Sequence, residues 1–146
     1  MLYLDTSALL KLYILEQGSE AVQARVAAQD LPLPIWEIQE AELTNALRLK
    51  VFWKEITPAQ ADTQIGLFEQ RRRQGFYHFP EIVRNNLMNT FRQLSVETPR
   101  LGCRTMDLFH VACAVEIGAT EFLTFDRRQG SLAAHAGLRV GPGGFA

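Results

Sequence analysis

Residues 106–117 read MDLFHVACAVEI, and only Asp107, His110 and Glu116 in that run are polar. A helix that is apolar nearly all round is a buried helix, so this stretch must sit at the centre of whatever the chain folds into. Asp107 then stands at the start of a core helix, where an ionised carboxylate is costly unless a cation meets it. A few residues on, Phe122-Leu123-Thr124-Phe125 is a short apolar strand that closes on a second carboxylate, Asp126. One acid opens a buried helix and the other closes a buried strand. Together they ask for a shared cation.

The rest of the chain supplies more of the same pattern. Met1-Leu2-Tyr3-Leu4 is another short apolar run, and it closes on Asp5-Thr6-Ser7, good N-cap types ahead of a helix over residues 8–13. Spacing and breakers predict further helices over 19–29, 37–54, from Thr57-Pro58 to Arg71-Arg72-Arg73, over 82–96, from about 105, and around 129–135. Strands are expected near Leu33, over 76–79, 121–125 and 138–140, with a loop through Pro99 and Gly102 and a flexible tail over 141–146. Strands alternating with helices give an α/β fold with a central, mostly parallel sheet of about four to five short strands flanked by helices. Ligands in such sheets bind outside the carboxyl ends of the strands. Asp5 and Asp126 both occupy that end, and they converge if their strands are neighbours.

In the helix over 37–54, Ile38, Glu42, Ala46, Leu49 and Trp53 fall on one stripe, joined by Asn45. Glu42 is thus expected as an acid inside an apolar stripe, where a carboxylate needs a partner. His110 lies one turn after Asp107 and reads as a satisfied core histidine. Trp36, Trp53 and the phenylalanines read as core, and Arg71-Arg72-Arg73 as a solvated helix end.

With 146 residues the chain is expected to form one domain, 1–146. Its net charge of −1 excludes a globally basic surface, so any nucleic-acid contact must use local positive charge. Cys103 and Cys113 lack the spacing of a zinc site and read as reduced packing thiols. Asp5 and Lys11 interrupt any leader, and no run approaches the roughly 20 apolar residues of a spanning helix. A cytoplasmic protein without a membrane partner is expected.

YLDTSALLKLY at the start, AELTNALRL in the third helix, and DLFHVACAVEIGATEFLTFDRRQ closed by GLRV occur in this order and spacing. In these stretches the chain resembles the PIN-domain family, and within it the VapC-type ribonuclease toxins of type II toxin–antitoxin pairs. The resemblance spans nearly the whole length, although residues 55–100 carry no motif. It implies a three-layer PIN fold and a metal-dependent endoribonuclease that hydrolyses phosphodiester bonds. The four acids, Asp5, Glu42, Asp107 and Asp126, match the family's catalytic acids around one or two Mg²⁺ or Mn²⁺ ions. Asp5 and Asp107 are expected to bind metal most directly, with Glu42 and Asp126 acting through water or a second ion. Thr6, Ser7, Asn45 and Thr124 are expected as hydrogen-bonding neighbours of the acids, and Arg104, Arg127 and Arg128 as candidates for RNA phosphates. The resemblance also implies a homodimer and a small VapB-like antitoxin in an apolar groove, here placed on the first helices at Leu9, Leu12 and Tyr13.

The chemistry of the acids agrees. Clustered carboxylates repel and raise one another's pKa values. A hard divalent cation with oxygen ligands removes that conflict. A receiver-like signalling module also gathers acids at strand ends, but it needs adjacent acids after the first strand and a late lysine. Here Thr6 follows Asp5, and no lysine follows Lys54. A non-catalytic PIN scaffold binding RNA or protein, and a DNA-directed PIN nuclease, stand as alternatives.

Overall fold

The computed structural model describes residues 1–142, which fall into two compact units, 1–7 with 80–142 and 8–79. The chain is α/β. Among the described residues no helix is long and apolar enough to cross a membrane.

The first unit is built on a parallel sheet in the order β1 (Leu2–Leu4), β4 (Glu121–Leu123), β5 (Arg139–Gly141). Parallel strands covered on both faces read as continuous apolar runs. Accordingly Leu2, Tyr3, Leu4, Phe122 and Leu123 are all at most 2% exposed. The register pairs Leu2 with Glu121, Tyr3 with Phe122 and Leu4 with Leu123. Tyr3 stacks on Phe122 with ring centroids 5.3 Å apart. Strand β5 continues the sheet, with Arg139 paired to Glu121 in register and as an ion pair at 3.3 Å.

Helix α7 (Thr105–Glu116) is the buried helix expected from residues 106–117, with Leu108, Val111, Ala112, Cys113 and Ala114 in the core. His110 ties it to the sheet: its Nδ1 lies 2.9 Å from the Tyr3 hydroxyl and its Nε2 3.4 Å from the Thr6 hydroxyl. At 2% exposure it is the satisfied core histidine that its position suggested. Helix α5 (Arg84–Ser95) packs along α7 through Phe91 and Phe109, whose centroids are 4.5 Å apart. The expected loop through Pro99 instead contains a short helix, α6 (Thr98–Leu101), because Pro99 fits a helix's first turn. Gly102, at φ 68°, takes the left-handed conformation that ends α6 and leads into α7. Helix α8 (Arg127–His135) begins immediately after Asp126.

In the second unit, β2 (Leu33–Pro34) and β3 (Tyr77–His78) pair in parallel. Among the described residues the five short strands are therefore split between a three-stranded and a two-stranded sheet rather than gathered in one. Helix α1 (Thr6–Leu10) leads into this unit, which continues with α2 (Ser19–Ala27), α3 (Glu37–Phe52) and α4 (Pro58–Arg73). Ion pairs Glu40–Arg72 at 3.0 Å and Arg48–Asp62 at 2.7 Å run in opposite senses along the sequence, so α3 and α4 lie antiparallel. Phe68 packs against Tyr77 and Tyr13, and the two tyrosine hydroxyls are 2.6 Å apart.

Three readings of this unit are corrected. The buried face of α3 is Gln39, Leu43, Leu47 and Lys50, one residue round from the expected stripe, and Leu49 and Trp53 are exposed. Lys50 is tolerated inside because Glu55 and Glu16 hold its ammonium at 2.8 and 3.2 Å. Arg71 is not a solvated helix end: it donates to the Leu12 carbonyl and lies over the Tyr13 ring at 4.9 Å. Leu9 and Tyr13 are core residues rather than groove walls, and only Leu12 of the three lines a cleft of about 350 Å³, with Val26, Arg71 and Phe76. The tail divides as well. Gly141 belongs to β5, and residues 143–146 lie outside the described residues.

Candidate active site

The parallel register decides what Asp5 meets. The residues that follow Leu4 and Leu123 are Asp5 and Thr124, side by side beyond the carboxyl ends of β1 and β4, and the Asp5 amide donates to the Leu123 carbonyl at 3.0 Å. Thr124 is fully buried, and its hydroxyl donates to Asp5 Oδ2 at 2.6 Å. The Ser7 hydroxyl donates to Asp5 Oδ1 at 2.7 Å and accepts from the Phe125 amide at 2.9 Å. Asp5 is only 4% exposed, and its two carboxylate oxygens are held by one hydroxyl from α1 and one from the residue that follows β4.

Asp107, 5% exposed, enters from the first turn of α7. Its Oδ2 accepts from the Arg104 backbone N–H at 2.8 Å, closing the helix start as a capping acid does. Asp126 is the N-cap of α8: its Oδ1 accepts from the amides of Arg128 and Gln129 at 2.9 and 3.0 Å. The local, structural roles of both acids are therefore real. Each still has an oxygen turned to other partners.

Two side chains join the three acids. Gln129 Nε2 donates to Asp107 Oδ1 at 3.5 Å, while its Oε1 is 3.1 Å from the Thr124 hydroxyl oxygen. That hydroxyl also accepts from the Asp126 amide at 3.0 Å. The Arg104 guanidinium reaches both remaining acids, with Nη2 at 3.5 Å from Asp107 Oδ1 and 3.4 Å from Asp126 Oδ2. Asp5, Asp107 and Asp126 thus belong to one network at the carboxyl ends of neighbouring parallel strands.

Gln129 and the bridging role of Arg104 were not read from the sequence. Asp126-x-x-Gln129 has the spacing of a capping box, and that was the available signal. In the fold Gln129 turns inward to Thr124 and Asp107 instead.

Of the other expected residues, Thr6 is half-buried against His110. Glu42 is half-buried on α3 in the second unit, where Asn45 is exposed. The first unit's acid network is accordingly made of Asp5, Asp107 and Asp126.

The network borders a cleft of about 390 Å³ lined by Arg104, Phe125, Asp126, Arg127 and Arg128. Three arginines therefore face the cleft beside the acids. The acids' own field is felt nearby: burial pushes the Cys103 thiol up, the Asp107 and Asp126 carboxylates add to that, and Arg128 opposes it.

The donor set suits a hard divalent cation, being carboxylates and hydroxyls without nitrogen or thiolate ligands. Two buried carboxylates and one partly exposed carboxylate leave negative charge for such an ion to balance. As the side chains stand, no group of three His, Cys, Asp or Glu residues among the described residues is gathered tightly enough to hold an ion. Arg104 lies between two of the acids. No protein-family model matches the chain, and no curated protein matches it significantly.

Proposed function

We propose that this chain is a metal-dependent endoribonuclease of the PIN type, acting as the toxin of a toxin–antitoxin pair. The observation that carries the reading is the convergence of Asp5, Asp107 and Asp126 in one hydrogen-bonded network beside an arginine-lined cleft. A cap needs neither the burial of Asp5 nor its link through Thr124 and Gln129 to a carboxylate 102 positions away. The first and last of the motifs that resemble the family carry these same three acids.

Asp5 and Asp107 would hold Mg²⁺ or Mn²⁺, with Asp126 completing the set. When bound, such an ion supplies Lewis acidity and an activated water for phosphodiester hydrolysis. The chain's own part is positional. Ser7 and Thr124 hold both oxygens of Asp5, and the Arg104 amide holds Asp107, so each of these two acids is oriented by its own neighbours. Arg127 and Arg128, exposed on the cleft wall, grip the substrate's phosphates. A homodimer restrained by a small VapB-like antitoxin accompanies this reading. So does a cytoplasmic setting, which suits the two free buried thiols.

The test is cleavage of total RNA by purified protein with Mn²⁺ or Mg²⁺, with chelator, and by Asp107→Asn. Discrete fragments that vanish with chelator and with the variant support the nuclease. Intact RNA under all conditions, with RNA still bound, moves the chain to the scaffold reading.

A further inference from the structure

Resting on the metal-nuclease reading, we infer that Arg104 is a resident counter-ion of the acid network, which a divalent cation must displace in order to bind. One nitrogen, Arg104 Nη2, bridges the acid that opens α7 and the acid that caps α8, at 3.5 and 3.4 Å. That is where a cation shared by Asp107 and Asp126 would have to act, and both cations would draw on the same two oxygens.

The bridge is built to be exchanged. Charge-assisted N–H···O bonds are normally about 2.7–2.9 Å long, yet the guanidinium stands at 3.3 and 3.5 Å from the Asp107 oxygens and 3.4 Å from Asp126 Oδ2. The side chain is 74% exposed, against 8% for the Asp107 side chain it pairs with. A long, solvated ion pair is a weak one. The firm hold on Asp107 is the Arg104 backbone N–H at 2.8 Å, and it survives any movement of the side chain. The guanidinium can therefore leave without unmaking the start of α7. Arg104 also lines the cleft with Arg127 and Arg128, so a displaced guanidinium adds its charge to the phosphate-binding wall.

The experiment is a calorimetric titration of Mn²⁺ into the full chain, without RNA, for wild type, Arg104→Met and Arg104→Lys. Methionine keeps the length and removes the charge, and lysine keeps the charge but not the fork. Arg104→Met should bind Mn²⁺ about threefold to tenfold more tightly than wild type, since a weak exposed pair no longer competes. Arg104→Lys should fall between them, and the gap should narrow at high ionic strength. Equal or weaker binding by Arg104→Met overturns the displacement while leaving the metal site standing. No Mn²⁺ binding by any of the three proteins sinks both the displacement and the metal reading.

Discussion

Thr124→Val is the most exacting test of how the site is built. Valine matches threonine in shape, so the change removes a hydroxyl and little volume. That hydroxyl donates to Asp5 Oδ2 at 2.6 Å and accepts from the Asp126 amide at 3.0 Å, in a fully buried position. The first bond is charge-assisted and contributes about 1.5–3 kcal/mol, and an amide left without an acceptor costs about 1 kcal/mol more. The expected loss is about 2.5–4 kcal/mol. At about 3 °C per kcal/mol for a chain of this size, Tm should fall by about 8–12 °C. Urea denaturation at neutral pH measures the first figure and calorimetry the second. Thr124→Ser is the control: it keeps the hydroxyl and loses one buried methyl, worth about 1 kcal/mol. A loss under about 1 kcal/mol for valine, or a serine variant as unstable as the valine one, would refute the hydroxyl bridge.

Asp126 separates capping from chemistry. Asp126→Asn keeps an N-cap side chain for the Arg128 and Gln129 amides and should hold stability within about 0.5 kcal/mol, whereas Asp126→Ala should lose about 1 kcal/mol. On the proposed nuclease reading, metal-dependent cleavage should be lost in both, and an asparagine variant that still cuts RNA at the wild-type rate would remove Asp126 from the proposed reaction. In the second unit, burial raises the Glu16 pKa, but the bonds from Lys11 and Lys50 together outweigh it and the net shift is downward. A lowered folded pKa gives stability that is present above the unfolded value of 4.5 and lost as pH falls through the folded one. Glu16→Gln should therefore be less stable than wild type at pH 7, and the difference should close as pH drops below that value. A gap independent of pH would mean that the ion pairs with Lys11 and Lys50 contribute nothing to folding.

The acids at element ends were legible because local pattern places them. The apolar run that closes on Asp5 is a strand end, whereas β4 stops at Leu123 and Asp126 stands three residues further on as the cap of α8. Residues 106–117 could only be a buried helix opening at Asp107. The face of α3 was not legible. Apolar residues occur on both its stripes, and only packing decides that Leu43 and Leu47 go inside while Leu49 and Trp53 stay out. Lys50 joins the buried side because Glu16 and Glu55, 34 positions before it and five after, meet its charge.

For the candidate site, sequence supplied the residue types and the order of the elements, with their ends displaced by about two residues. Tertiary structure settled the pairings: the β1–β4 register that sets Thr124 beside Asp5, the inward turn of Gln129, and the choice of Arg104 as the cation between Asp107 and Asp126. The division has a physical cause. Periodicity and capping act over a few residues and are written in neighbouring side chains. Register and the destination of a long polar side chain depend on partners more than a hundred positions away or on rotamers that only the packed fold selects.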